Sequence, residues 1–544
     1  MKSLRKIFCL TLALLMVAGI LVSCGKKEAS SGTTTAPQGG STQSSSGSSS
    51  SSSSASSGSA ETKKVTKDTI AIAYEAEPSN LSTTENNEIG ASYVCRFIYS
   101  GLFKPTADGV VPDLCTEYHT EKDADGVESI WVFKLREGVK FSDGTDLTAQ
   151  DVVDTLTFAH DQTVVKSLTG FYTKVEAEGD YTVKLYTDGV YATVPQSLAD
   201  KSCFILPSEL IANGHDFSND PIGSGPYKLV KWNKGENIVL TINENYYDKD
   251  NFPQIQNIDW KIMAEGTSRT LALEAGDVDL VISVASLDIP RLEADDRFNV
   301  SITNGSMFTY VLLNATKEPF NDLNFRKFLA AAFNREDAIS IALDCYATPI
   351  NSCININIKG STDENATTYD PAKAQEYLKA WGGDPSKVDF EILVTNDVRR
   401  RIAESLQNTL KEYGINCRVS NTESATLSSL ARSGEYEAAV FAYTTDDFAT
   451  YAKNLYYVSD SAHAGNKFRM NGDDSLNPLV DQINSTTDPA TREALIKDFT
   501  SQLNAKQPVV PVYCSQTLIA YDKSLGGLSV DSRGFFRAEK LFWQ

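Results

Sequence analysis

The feature that most constrains the fold is a strand–helix–strand pattern in the second half of the chain. Residues 390–394 form a short apolar run, and residues 398–413 repeat apolar side chains every three or four positions, which predicts a helix. Gly414 ends that helix, and residues 415–419 alternate again as a strand. Strands joined in this way lie parallel in one sheet, with ligands beyond their carboxyl ends. The pattern predicts an α/β fold.

A further buried strand is predicted over residues 438–443, and two carboxylates, Asp446 and Asp447, follow it. Adjacent side chains on extended backbone point in opposite directions, which separates the two acids. The arrangement therefore favours recognition of a positive charge over acid–base catalysis.

The first 24 residues have the pattern of a signal peptide. Lys2, Arg5 and Lys6 precede an apolar run over residues 7–22, which as a helix would rise about 24 Å and fall short of the ~30 Å hydrocarbon core. Cys24 follows directly in Leu-Val-Ser-Cys-Gly, which resembles the lipobox of bacterial lipoproteins. Fatty acylation of Cys24 would anchor the protein to the extracytoplasmic face of the cell membrane, with a plain secreted chain as the alternative.

The next segment, residues 25–68, is almost wholly Ser, Thr, Gly and Ala. Such a composition buries too little apolar surface to offset the entropy lost on ordering. The segment predicts a disordered linker with an r.m.s. reach of roughly 35 Å. The folded part would then work just outside the membrane, held there by the lipid anchor only.

Charge and motif content exclude several kinds of partner and chemistry. The chain has 50 basic and 71 acidic residues, a net charge of −21, which argues against a nucleic-acid partner. The four His residues show no metal-ligand spacing, so we expect no metal. No GxSxG, HExxH, P-loop or SxxK motif occurs, so we expect neither enzymatic activity nor a cofactor.

Cysteine usage gives no disulfide framework. Seven Cys remain after Cys9 of the signal peptide and Cys24 are set aside, and an odd number cannot pair completely. Cys345 and Cys353 are close enough in sequence to bridge a loop, but buried free thiols are the favoured interpretation.

Five segments, in order along residues 69–544, carry a resemblance to one family. They are FKLREGVKFSDGTDLTAQDV at 133–152, GSGPYKLVKW at 223–232, LEAGDVD at 273–279, PFNDLNFRKF at 319–328 and YDPAKA at 369–374. Together they resemble the family 5 extracellular solute-binding proteins, whose best-known members are the dipeptide- and oligopeptide-binding proteins of ABC importers.

The resemblance implies a two-lobed, periplasmic-binding-protein-like fold of class II type with an extra inserted domain and a hinge between the lobes. The implied parts are residues 69–103, 222–310 and 513–544 for lobe I, 104–221 for the inserted domain and 311–512 for lobe II, with hinge strands near 308–313 and 509–513. Lobe closure around a ligand is a backbone change at a few hinge residues.

The resemblance also implies a function and a site. A monomeric lipoprotein would capture a peptide between the lobes and deliver it to the permease subunits of an ABC importer. In peptide-binding members an Asp after a buried strand pairs with the peptide α-ammonium, and Ala442-Tyr443-Thr-Thr-Asp446 resembles that segment. In this chain Tyr443 stands in place of Trp, and the two usual glycines are replaced. Asp447 is the next carboxylate to consider.

Two further groups of residues are candidates for ligand contacts. The resemblance places Asn86, Asn87, Glu88 and Ile89 in the loop that borders the peptide backbone. Weaker candidates for the ligand's carboxylate are three arginines, Arg399, Arg400 and Arg469.

Three alternatives stay open at this point. A binder of oligosaccharides in the same family would need aromatic platforms, for which Trp131, Trp232 and Trp260 are candidates. A metal-chelate binder is disfavoured by the sparse His, and a secreted hydrolase by the missing nucleophile motif. The sequence does not disclose the length of the ligand, the permease, or a choice between nutrition and signalling.

Overall fold

The computed structural model describes residues 67–106, 109–457 and 473–544. The predicted signal peptide, Cys24, nearly all of the linker and Arg469 lie outside these residues. Lys67 was predicted to belong to the linker, yet its Nζ lies 2.6 Å from Oδ1 of Asp279, and the carbonyl of Asp68 accepts a hydrogen bond from the N–H of Asn257. The last two residues of the predicted linker therefore contact the folded part of the chain.

Strands form the framework of both lobes. In chain order they are β1 Thr69–Tyr74, β2 Phe103–Thr106, β3 Gly109–Pro112, β4 Cys115–Glu121, β5 Ile130–Leu135, β6 Tyr172–Ala177, β7 Thr182–Thr187, β8 Tyr227–Asn233, β9 Asn237–Ile242, β10 Asn257–Ile262, β11 Leu280–Ile282, β12 Phe298–Leu313, β13 Ala347–Pro349, β14 Asp389–Val394, β15 Asn416–Asn421, β16 Ala438–Thr444, β17 Val509–Asp522, β18 Leu525–Gly526 and β19 Phe542–Trp543.

The α-helices surround these strands. They are Ile89–Ile98, Ala149–Asp161, Lys166–Thr169, Val194–Leu198, Ser208–Ala212, Gly266–Ala275, Ile289–Glu293, Leu323–Ala332, Arg335–Leu343, Pro371–Trp381, Asp397–Glu412, Ser424–Ser433, Phe448–Tyr451, Asn477–Ser485 and Pro489–Lys506.

One large sheet runs through both lobes in the order β15-β14-β16-β12-β17-β11-β1-β10-β9-β8, with β13 added at β17. The predicted strand–helix–strand unit is confirmed, since β14 and β15 pair in parallel, from Asp389 opposite Asn416 to Val394 opposite Asn421. A separate four-stranded sheet, β4-β5-β7-β6, lies in the segment predicted as the inserted domain. The fold is the two-lobed α/β fold that the sequence predicted.

Two long antiparallel strands, β12 and β17, connect the halves of the large sheet. Their pairing runs from Phe298 opposite Asp522 to Leu312 opposite Val509, with register shifts between Asn304 and Phe308. Both predicted hinge segments lie in these strands. An irregular register interrupts the regular ladder, and such interruptions bend a strand pair locally.

In the strands of lobe II, successive side chains point to opposite faces of the large sheet, and a hydrophobic core lies on each face. Val311 packs into one core and its neighbour Leu312 into the other. Ile392 and Leu393 of β14 divide in the same way. Both faces are therefore buried, which explains why these strands read as almost continuous apolar runs.

Side-chain caps mark the start of several helices. Thr148 and Asp151 form a capping box at Ala149–Asp161, and the side chain of Asp370 accepts hydrogen bonds from the N–H groups of Ala372 and Lys373. Each cap satisfies backbone N–H groups that a helix leaves without internal partners.

The Gly223-Ser-Gly225-Pro segment enters β8 through a close approach to the helix Ile89–Ile98. A Cβ on Gly223 would lie 2.4 Å from the carbonyl oxygen of Ile98, and one on Gly225 would lie 2.6 Å from it. The N–H of Gly225 donates to that carbonyl at 2.8 Å. The glycines are therefore required by the close packing of this segment against the helix.

No helix in the described part of the chain is long and apolar enough to cross a bilayer.

Candidate functional site

Asp446 lies just beyond the end of β16. Residues Ala438–Phe441 of this strand are buried, and its last residue, Thr444, pairs with Met307 of β12. The chain stays attached to β12 for one more residue, because the N–H of Thr445 donates to the carbonyl of Ser306 at 3.2 Å. Asp446 is thereby held where the large sheet passes from one lobe to the other.

Both oxygens of the Asp446 carboxylate accept hydrogen bonds from the protein. Its Oδ2 accepts from the hydroxyl of Ser532 at 2.5 Å, and its Oδ1 accepts from Nη2 and Nε of Arg533 at 3.1 and 3.3 Å. The sequence predicts that Asp446 pairs with a positive charge on a ligand. In this structure the protein itself supplies a guanidinium.

Arg533 reaches a second carboxylate from another part of the chain. Its Nη1 lies 3.3 Å from Oδ2 of Asp200, which also caps the short 3-10 helix Lys201–Cys203. By the predicted boundaries, Asp200 belongs to the inserted domain, Asp446 to lobe II, and Ser532 and Arg533 to lobe I. We call these four residues the interlobe cluster.

The interlobe cluster keeps its acids ionised. Burial alone would raise the pKa of Asp446, but attraction by Arg533 and hydrogen bonds from Ser532 and Arg533 outweigh it and lower the pKa. For Asp200, burial is likewise outweighed by Arg533 and by Ser202, and the pKa is lowered. Burial lowers the pKa of Arg533, yet the two acids outweigh it and raise that pKa. Both acids and the guanidinium are charged at neutral pH.

Asp447 has a different role. Its carboxylate accepts from the N–H of Thr450 at 2.7 Å and caps the helix Phe448–Tyr451. It is also close enough to Arg492 to affect the pKa of that arginine, which burial lowers and Asp447 raises. Asp447 therefore satisfies a backbone N–H group at the start of this helix.

Tyr443 lies at the end of β16, opposite Phe308 of β12. Burial raises the pKa of its hydroxyl to about 12, although a hydrogen bond with Asn454 opposes the shift. The phenol is thus neutral and already engaged within its own lobe.

The loop before the helix Ile89–Ile98 divides into a buried and an exposed part. Asn86 is buried, and its amide nitrogen donates to Oδ1 of Asn80. Asn87 is exposed, the exposed Glu88 accepts from the N–H of Ser79, and Ile89 is 57% exposed. Asn86 therefore stabilises the loop, while its three neighbours present polar and apolar groups at the surface.

The three candidate arginines differ in environment. Arg399 is partly buried beside the hinge-strand residues Tyr310 and Tyr513, donates to Oγ1 of Thr395 at 2.6 Å, and forms no ion pair with any carboxylate of residues 67–106, 109–457 or 473–544. Arg400 pairs with Asp397 at 3.2 Å on the exposed side of the same helix. Arg469 lies outside the described residues. Of the two that can be compared, Arg399 is the one with an available guanidinium near the hinge.

The predicted aromatic platforms for a glycan are not available. Trp131 and Trp260 are buried in separate cores, with 5% and 0% exposure. The indole N–H of Trp232 donates to Oε1 of Glu77 at 2.9 Å, and Lys234 lies over its ring. Within the described ranges no cluster of His, Cys, Asp or Glu could hold a metal ion.

The sequence analysis missed three residues of the interlobe cluster, Asp200, Ser532 and Arg533. The only local signal is a turn: Gly534 has φ 88°, and the side chain of Asp531 accepts from the N–H groups of Arg533 and Phe535. Asp200 and Arg533 are 333 residues apart, so no spacing could have joined them.

Residues 109–466 match the bacterial extracellular solute-binding proteins, family 5. The match covers more than half of the chain and includes Arg399, Asp446 and the whole of β12 to β16. The chain belongs to this family. It is a substrate-binding protein of the ABC importer type, and its homologues are solute-binding proteins, which are not enzymes.

Several relatives and solved structures are similar to this family 5 protein. The glutathione-binding protein GsiB of Escherichia coli (strain K12) is 24% identical over 471 residues, covering 84% of this chain and 91% of GsiB. HbpA2 from Haemophilus parasuis superposes with a TM-score of 0.79 at 21% identity, covering 88% of this chain and 100% of HbpA2. DppA from Helicobacter pylori, in complex with the peptide STSA, gives 0.70 at 21% identity, covering 88% and 99%. At these identities the solved structures establish a shared fold.

Proposed function

We propose that this protein captures short peptides or peptide-like solutes between its two lobes and delivers them to the permease of an ABC importer. The observation that carries the proposal is the ionised, partly buried carboxylate of Asp446 at the passage between the lobes. An α-ammonium group offers such a carboxylate both a charge and three hydrogen-bond donors.

Arg399 would bind the other end of the ligand. Its guanidinium lies beside the hinge tyrosines Tyr310 and Tyr513 and pairs with no carboxylate of the described ranges. A free peptide or glutathione carries an ammonium group that would pair with Asp446 and a carboxylate that would pair with Arg399. Relatives named as glutathione-binding and a neighbour solved with the peptide STSA support this ligand class.

Ligand contacts beyond the two charged ends would come from neighbouring surface groups. We propose Asn87, Glu88 and Ile89 as the edge along which the peptide backbone lies, with Asn86 shaping their loop and Tyr443 forming an apolar wall. Main-chain hydrogen bonding of this kind tolerates different side chains. Asp447, Arg400 and Arg469 complete the predicted set, and Arg400 is the weakest of those in the described ranges because Asp397 already neutralises it.

We further propose that the mature protein is a lipid-anchored monomer on the extracytoplasmic face of the cell membrane, tethered through Cys24 and the segment after it. Replacement of Cys24 by Ser should abolish labelling by palmitate and release the protein from the membrane fraction. Failure of the wild-type protein to incorporate a fatty acid in its host would contradict the anchor.

The ligand class can be tested with a panel. The protein is heated with di- to hexapeptides, glutathione, oligosaccharides or nickel chelates, and a ligand at a hundredfold excess over its Kd should stabilise the protein by about 2.7 kcal/mol. We expect stabilisation by peptides or glutathione and recovery of the ligand unchanged. Stabilisation by oligosaccharides alone, or chemical conversion of the ligand, would contradict the proposal.

A further inference from the structure

Within the interlobe cluster, Arg533 contacts two acids, Asp200 of the inserted domain and Asp446 of lobe II. The side chains of Asp200, Asp446 and Arg533 remain 24%, 21% and 29% exposed, so solvent and ligands can reach them. The contacts span 333 and 87 residues of sequence. A single guanidinium thus connects lobe II to the inserted domain.

Hydrogen bonds and close packing hold the backbone around Arg533 independently of its side-chain contacts. The hydroxyl of Ser306 in β12 donates to the carbonyl of Ser532 at 2.7 Å, and the hydroxyl of Tyr93 donates to the carbonyl of Gly534 at 2.6 Å. Gly534 packs so closely that a Cβ would lie 2.9 Å from Oγ1 of Thr517. The guanidinium is therefore presented by a turn whose backbone is held on both sides of Arg533.

The charges of the interlobe cluster do not cancel. Asp200 and Asp446 share one guanidinium, which leaves one excess negative charge. Among the neighbouring groups, Arg96 lies over the ring of Phe535 at 4.4 Å and is attracted by Asp531, whose pKa burial raises, while Lys201 is attracted by Asp200. Asp446 is therefore already partly neutralised when a ligand cation arrives.

We propose that Arg533 is a specificity-determining residue that competes with the ligand's ammonium group for Asp446 and holds lobe II against the inserted domain. This inference rests on the proposed function for its ligand and on the interlobe cluster for its mechanics. A ligand cation must share or displace the guanidinium. Because Asp446 already has Arg533 as an ionic partner, a free amino group raises the affinity of a ligand less than it would for an unpaired carboxylate.

The ligand arm of the test compares a free peptide with its N-acetylated form by titration calorimetry, in wild type and in Arg533→Gln. Loss of the guanidinium weakens lobe contact for both peptides alike, so the ratio of the two affinities isolates the competition. We expect this ratio to rise roughly five- to tenfold in the variant. An unchanged or smaller ratio would overturn the proposal and make Arg533 neutral or a direct ligand contact.

Arg297→Gln is the matched control for this arm. Arg297 pairs with Asp295 at 2.8 Å on the surface of lobe I, so the substitution removes an ion pair without touching the interlobe cluster. We expect it to leave the ratio unchanged. Arg533→Lys retains a charge but cannot span two carboxylates as a planar fork does, and it serves if Arg533→Gln does not fold. We expect a smaller rise in the ratio for the lysine variant.

The mechanical arm needs no peptide and so separates this proposal from the proposed function. Spin labels at Thr157→Cys and Ala494→Cys, both exposed helix positions, report the distance between the inserted domain and lobe II in a Cys345→Ser background. We expect Arg533→Gln and Asp446→Asn each to lengthen that distance, and the double variant to lengthen it no further. A distance distribution identical to that of Arg297→Gln would overturn the bridging role. If no peptide binds wild type while the distance lengthens, the proposed function fails and the bridge stands.

Discussion

Lys201 of the inserted domain donates its buried Nζ to both oxygens of Asn86, at 2.8 Å for the carbonyl and 3.0 Å for the side chain. The same ammonium lies 3.3 Å from the carbonyl of Ser82 and 3.2 Å from that of Thr83. With 3% exposure, Lys201 exchanges its hydration for these four oxygens. One ammonium therefore fixes the whole loop that precedes the helix Ile89–Ile98.

Replacement of Lys201 by Met should lower the free energy of unfolding by about 3 kcal/mol, since it leaves buried carbonyl oxygens without a donor. Urea unfolding measures the change. Lys174→Met is the control, because Lys174 is an exposed lysine paired with Glu176, and its replacement should change the free energy of unfolding far less. Equal losses for the two variants would show that the four contacts of Lys201 contribute little.

Arg399→Met should weaken ligands that end in a free carboxylate by roughly ten- to hundredfold, because a hydrogen-bonded charge is lost. The corresponding peptide amides should lose little. Calorimetry with both forms gives the comparison, and Arg400→Met, on the exposed side of the same helix, is the control. A similar loss for acid and amide would mean that Arg399 does not read the carboxylate.

The acids of the interlobe cluster should make stability depend on pH on the acid side. The pKa values of Asp446 and Asp200 are lowered in the folded protein, so their contribution is complete above the ordinary Asp value of 3.8 and is lost as the pH falls through the lowered values. The charged and hydrogen-bonding groups that act on one or both acids are Arg533, Arg96, Lys201, Ser202 and Ser532.

The melting temperature of the wild type should therefore fall more steeply below pH 4 than that of the double variant Asp200→Asn, Asp446→Asn. Between pH 5 and 8 this cluster should contribute no slope. Thermal unfolding in matched buffers measures both curves, and parallel curves below pH 4 would contradict the assignment.

The seven cysteines of the described residues should differ sharply in reactivity. Burial raises the pKa of Cys95 to about 11 and that of Cys353 to about 12, whereas Cys345 is only partly buried. All seven are free, which agrees with the favoured interpretation and excludes the Cys345–Cys353 bridge in this structure. The thiolate is the reactive form, so slow reaction follows from burial.

In the mature chain with Cys24→Ser, Ellman's reagent at pH 8 should titrate one thiol rapidly in the folded protein and seven after denaturation. Cys345→Ser should remove the rapid phase. More than one rapid thiol in the native state would show that a buried cysteine is accessible.

Local pattern was enough to predict the strand–helix–strand unit and the strand that precedes Asp446. Strand alternation, the capping box at Thr148 and the Asp370-Pro371 start are set by neighbouring residues, so each could be found in the sequence. The burial of Asn86 could not be predicted from local pattern, because its partner Lys201 is 115 residues away in the chain. Arg533 was missed for the same reason, since only the fold brings it to Asp446.

The contrast between Trp381 and Trp260 shows where sequence reasoning succeeds and fails. Trp381 follows Ala374, Tyr377 and Leu378 at helical spacing, which indicates one apolar face, and it packs against a core of lobe II. Trp260 was a candidate glycan platform, because an alternating strand does not reveal which face is covered. In the structure the ring is completely buried, packed between Tyr74 and Tyr93.

In the proposed function, Asp446 recognises the amino terminus of a peptide. The most direct measurement is the calorimetric affinity of the wild type for one peptide with a free amino terminus and for the same peptide N-acetylated. A hydrogen bond to a charged group contributes about 1.5–3 kcal/mol, and Arg533 keeps Asp446 paired when the ammonium is absent, so the free peptide should bind roughly tenfold more tightly, and Asp446→Asn should abolish that preference. Equal affinity of the wild type for the two peptides would contradict the claim.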